Sequence, residues 1–162
     1  MDYLAHALWS YIFFHKTKKP LWAVFWGLFP DTISWLIFAI YHIFTKTTMW
    51  TPDLSKIPSW VFTLYNISHS IFVAIAVILI IWTIFRSFPV YMLTWPIHIL
   101  MDIPTHARDF LPTPFLWPFS VWHFPGIRWS DWRFMIINYV FLMSALIYIW
   151  WKKKKKSIQL PR

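Results

Sequence analysis

The chain has no cysteine and no glutamate, so its six acidic residues are all aspartate. Without cysteine, disulfides and thiolate metal sites are both excluded. Charge of either sign is scarce: 13% of the 162 residues are charged, about half the share of a soluble domain. Hydrophobic residues make up 59% and aromatics 23%, an apolar surplus too large to hide inside one core of this length. Lipid is the natural solvent for such a chain. The N-terminus carries Asp2 in place of a basic segment, and no small-residue cleavage site follows, so no cleaved signal peptide is expected.

A net charge of +9 raises nucleic acid as a partner, but its distribution favours membrane lipids. Five lysines at 152–156 directly follow Trp150 and Trp151, and Lys16, Lys18 and Lys19 follow another apolar stretch. Basic clusters abutting apolar spans read as cytoplasmic anchors that attract anionic headgroups.

The apolar runs predict an all-α integral membrane bundle, a single domain over residues 1–162 with about four transmembrane helices. The expected spans are 21–44, 60–85, 88–106 and 132–151, each near the roughly 20 residues that a bilayer requires. Residues 4–14 are apolar but too short to cross and read as an N-terminal half-helix. Residues 108–131 form a loop rich in Pro and Trp, and 152–162 a basic tail. Placing that tail in the cytoplasm puts Lys16, Lys18, Lys19, Arg86, the 152–156 run and Arg162 on one side. Lys46, Lys56, Arg108, Arg128 and Arg133 then fall on the other, so the expected location is the inner cell membrane, multi-pass, with a cytoplasmic C-terminal tail.

Ionisable groups at membrane depth are costly and mark functional sites. His6, Asp31, His69, His98 and Asp102 qualify, and His106 lies at the end of the third span. His98 and Asp102 are four residues apart and share a helix face, which His106 continues. Imidazole nitrogens and carboxylate oxygens are a usual ligand set for zinc or a similar divalent ion. Counting from the basic clusters at 1.5 Å per residue puts His6 and Asp31 about 15–18 Å deep, and His69 and His98 reach a similar level from their own ends. Asp31 has a second reading, as the cap of a helix broken by Pro30.

The ordered set His6, Gly27-Leu28-Phe29-Pro30-Asp31, Ser68-His69-Ser70, His98-Ile99-Leu100-Met101-Asp102-Ile103-Pro104-Thr105-His106 and Leu116-Trp117-Pro118-Phe119-Ser120 resembles a known family. It is similar to the membrane-bound metal-dependent hydrolases, also described as LexA-binding, inner-membrane-associated hydrolases, whose His/Asp pattern is like that of zinc-dependent phospholipases C. The resemblance covers residues 5 to 120 and implies that His6, Asp31, His69, His98, Asp102 and His106 are metal ligands. The chain departs from the family pattern at Ile33, where many members have a second acid, and at Tyr65-Asn66-Ile67, where many have His-Arg.

The function expected is metal-dependent hydrolysis of a phosphoester, such as a lipid headgroup. Asp31 or Asp102 would orient or deprotonate water, and Arg108, Arg128 and Arg133 would hold phosphate on the open side. The alternatives are a metal-ion or proton-coupled transporter, and a non-catalytic membrane scaffold with a structural metal site.

Overall fold

Proline and small polar residues decide where the helices start, bend and stop. The computed structural model describes residues 1–45 and 57–159. Helix α1, Tyr3–Phe14, begins where the Asp2 side chain accepts the Ala5 amide proton. Helix α2, Pro20–Asp31, starts on Pro20, whose missing amide proton costs nothing in a first turn. Pro30 lacks the N–H that would bond the Trp26 carbonyl, and the chain continues in a wider π turn over Thr32–Leu36 before α3, Ile37–Thr45. The three segments form one apolar rod of 26 residues, Pro20–Thr45.

Helices α4, Ser59–Ser68, and α5, Ile71–Phe85, meet at a 60° bend. The expected continuous span over 60–85 is therefore broken at His69 and Ser70. Backbone groups freed there find new partners, as they must in an apolar surrounding. Ser70 Oγ accepts from the Val73 amide, Trp95 Nε1 donates to the Ser68 carbonyl, and the Ile71 amide donates to the Phe115 carbonyl. A 3-10 turn, Val90–Leu93, leads into α6, Thr94–Thr105, which ends just after Pro104. Helix α7, Trp132–Gln159, carries the lysine run as a continuation of its own rod, where the sequence suggests a separate tail.

Two helices are long and apolar enough to cross a bilayer, Pro20–Thr45 and Trp132–Lys155, and the bent α4–α5 pair makes a third if counted as one broken span. The expected span over 88–106 is not carried by helix length: α6 has 12 residues, about 18 Å at 1.5 Å per residue against a hydrocarbon core of about 30 Å. Lys46, Asp53, Lys56 and Arg162 lie outside the described residues.

Helix α2 packs against both α1 and α6, which also touch each other. One core cluster joins Ala74, Ile78, Met92, Trp95 and Ile99 to Trp26 and Phe29. A second joins Ala5 of α1 to Leu142 of α7. Outside these clusters, large apolar side chains such as Leu21, Phe44, Ile84 and Val140 are exposed on α2, α3, α5 and α7. Water-facing surfaces do not carry apolar area on that scale.

Candidate metal centre

Each polar residue reaches the interior by a different local device. Asp31 closes α2 beside Pro30, and its side chain makes no capping hydrogen bond, so the capping reading does not hold. It points instead toward His69, with Oδ1 3.5 Å from His69 Nε2. His69 sits in the α4–α5 break with non-helical backbone angles. His98 and Asp102 lie one turn apart on α6.

The histidine protons can be placed from their partners. His98 Nδ1 is 2.7 Å from the Gly27 carbonyl oxygen, and a carbonyl only accepts, so Nδ1 carries the proton. His69 Nδ1 lies 3.1 Å from the Tyr65 carbonyl oxygen and 3.0 Å from the Ser68 hydroxyl. With Nδ1 turned to a carbonyl, each ring directs Nε2 into the site, and these two atoms face each other at 3.3 Å. Asp102 Oδ2 stands 3.1 Å from His98 Nε2 and 3.6 Å from His69 Nε2, buried and without a hydrogen-bond partner. With Asp31 Oδ1, the four ligand atoms lie within 4.8 Å of one another.

Two carboxylate oxygens brought together in a dry interior favour a positive charge between them. Two imidazole nitrogens and two carboxylate oxygens suit a divalent ion, and a carbonyl-anchored Nδ1–H is the usual outer support of a metal-binding histidine. The buried group Asp31, His69, His98 and Asp102 can hold a metal ion.

The other two histidines gather around Asp102. His6 Nε2 lies 2.9 Å from Asp102 Oδ1, and its ring stacks on His98 with centroids 3.6 Å apart. The Met1 ammonium also contacts Oδ1. His106 Nδ1 donates to the Asp102 carbonyl at 3.1 Å and stands 3.6 Å from Oδ1. One oxygen of Asp102 is thus held from behind while the other faces the centre. Asp31 is the accessible member of the four-residue group, its side chain 14% exposed against 0–1% for the other three.

The three arginines have partners in or beside the loop. Arg128 pairs with Asp109 at 2.5 Å, and this hydrogen bond holds the Asp109 carboxyl below its ordinary range. Arg108 Nε donates to the His123 carbonyl at 3.0 Å, and Arg133 lies over the Trp132 ring. The loop also reaches inward: Thr113 is buried, and the Phe115 and Trp117 carbonyls serve the α4–α5 break. Tyr65 is a site residue that sequence reasoning missed. Its ring lies tilted against His69 with centroids 4.0 Å apart, and its carbonyl oxygen is 3.1 Å from His69 Nδ1. Its position four residues before His69, one helical turn away, was the available signal.

The described residues thus form an all-helical protein with an apolar surface and a buried His/Asp group able to hold a metal ion. No family model matches the chain, and no curated protein or solved structure does either.

Proposed function

We propose that this protein is a membrane-embedded, metal-dependent hydrolase of phosphoesters such as lipid headgroups, and a divergent member of the membrane-bound metal-dependent hydrolases. The observation that carries the reading is the convergence of four potential ligand atoms from α2, the α4–α5 break and α6. Bound among them, a divalent ion such as zinc supplies the positive charge that polarises a phosphoryl oxygen and makes a neighbouring water more acidic. The chain's own residues do the rest. The Gly27 and Tyr65 carbonyls lie against Nδ1 of His98 and His69 and so aim the two Nε2 atoms at the centre. His6 holds one oxygen of Asp102 so that the other faces inward. Asp31, at the accessible edge, would take the proton of an entering water where the other three residues hold the ion and leave its carboxylate free. Arg108, two residues beyond His106, offers its terminal guanidinium nitrogens to phosphate, since its link to His123 uses Nε.

A lipid substrate is favoured by an apolar groove along α2 and α3. A cavity of about 410 Å³ lies along α2, the π turn and α3, lined by Tyr3, Phe29, Thr32, Leu36 and Ile40. It is apolar enough for an acyl chain. The setting is the inner cell membrane, with about four passes and the lysine clusters on the cytoplasmic face.

Elemental analysis of the purified protein should find a divalent transition metal, zinc first, that falls sharply in His98→Ala and Asp102→Asn. Phospholipid or phosphodiester hydrolysis should disappear with it while the helical circular dichroism persists. A metal-free wild type, or activity retained in both variants, overturns the proposal. The enclosure of the site favours one competitor: four protein donors complete the shell of a structural ion. A metal-loaded protein that hydrolyses no phosphoester and unfolds on chelation would establish that reading instead.

A further inference from the structure

A second polar feature lies at the opposite end of α1, independent of the metal centre. His15 follows His6 by nine residues, about 14 Å along a helix. There α1 ends against the last turns of α7, enclosing an open cavity of about 640 Å³. Lys16 from one segment and Lys152, Lys153 and Lys155 from the other line it, with Ile149 and Trp151 as its apolar side. Lys153 Nζ bridges the two helices by donating to the Tyr11 hydroxyl at 3.2 Å. No acidic residue occurs between Asp2 and Asp31 or after Asp131, so neither segment supplies a carboxylate to neutralise the lysines. The cavity also sits where α7 changes from apolar residues to lysines, across Trp150 and Trp151, the level of a lipid headgroup.

We propose that this cavity is a binding site for the phosphate headgroup of an anionic phospholipid. The lysines of α1 and α7 contact the phosphate from two sides, and Ile149 and Trp151 face the glycerol and upper acyl chain. A diffuse basic surface would treat all its lysines alike, whereas a built site depends on those that line it. Lys16 and Lys18 are both exposed and two residues apart, but Lys16 lines the cavity and Lys18 does not.

The test uses the full chain, delipidated in a neutral detergent, with short-chain phosphatidylglycerol as probe and binding read by native mass spectrometry. Phosphatidylglycerol should bind saturably, one molecule per chain. Lys16→Glu should weaken it about tenfold, since reversal changes two charge units near an anion, and Lys18→Glu should change it less than about twofold by the same reasoning. Equal losses in the two variants would reduce the site to general attraction and overturn the proposal. Equal binding of short-chain phosphatidylcholine would do the same. So would full competition by inorganic phosphate at the concentration of the lipid, which would make this a free-anion site. Both substitutions are at exposed positions, and Lys16→Gln provides a milder version expected to weaken binding by a smaller factor.

Discussion

At Gly27 a hydrogen atom stands where any other residue would place a methyl group against α1. A Cβ there would lie 1.9 Å from Ser10 Oγ and 2.8 Å from Ser10 Cβ, so α2 could not keep its present distance. The Gly27 carbonyl is also the group that holds the His98 proton, which couples the packing of two helices to the aim of a ligand nitrogen. Gly27→Ala should destabilise the protein by about 1–3 kcal/mol through overpacking and lower its metal content. Adding Ser10→Gly removes both clashing atoms and should recover most of each loss, with thermal unfolding and metal analysis as the measurements. An unchanged melting temperature in Gly27→Ala would show that the helices are not in this contact. The six His and Asp residues of the site were legible in the sequence because ionisable groups inside apolar runs stand out. Gly27 and Tyr65 were not: both act through backbone carbonyls, which every residue has.

Among the elements, the α4–α5 break was the least legible. Residues 60–85 form one apolar run, and hydropathy cannot register that Ser70 leaves the helix. The interactions that sustain the break come from distant segments: Trp95 bonds the Ser68 carbonyl, while Phe115 and Trp117 receive the Ile71 amide and the Ser70 hydroxyl. The break matters because it turns His69 toward α6, where an unbroken helix would keep it in register with its neighbours. Ser70 both caps α5 and ties the loop to it. Ser70→Ala should therefore cost about 1–2 kcal/mol, the range for a lost N-cap together with a carbonyl left unpaired. Hydrogen exchange should localise the damage to the first turn of α5, with faster exchange at Ile71 and Val73. Ser70→Thr keeps the hydroxyl and should stay near wild type. Slow exchange at both amides in Ser70→Ala would mean that something other than Ser70 holds the break.

Counting passes through the whole molecule gives a different answer from counting long helices. Tyr11, Lys19, Tyr91 and Lys153 gather at one end, joined by Lys19 N to Tyr91 Oη at 3.1 Å and Lys153 Nζ to Tyr11 Oη at 3.2 Å. Asp2, Tyr3, Thr32 and Tyr139 gather toward the other, where Tyr3 bonds Thr32 and Tyr139 bonds Asp2, each at 2.8 Å. A chain that leaves the first end at Lys19 and returns to it at Lys153 must traverse the bundle an even number of times. Helices α2–α3 and α7, with the bent α4–α5 pair as a third, are long enough to traverse it, and the four passes proposed above require α6, too short to cross alone, to belong to the remaining one. The long apolar runs were legible in the sequence, but the helix lengths were not, because hydropathy does not register that α4–α5 is bent or that α6 ends after 12 residues at a buried polar group. The absence of cysteine makes this testable with single thiols and no background. In intact cells an impermeant thiol reagent should leave Lys18→Cys and Lys154→Cys unmodified, label Arg128→Cys, and reach all three after permeabilisation. Opposite behaviour of the Lys18 and Lys154 positions would require an odd number of passes, which the contact between α1 and α7 does not allow, and would overturn this arrangement. Labelling of both from outside would keep the four passes and invert the orientation, placing the headgroup cavity in the outer leaflet.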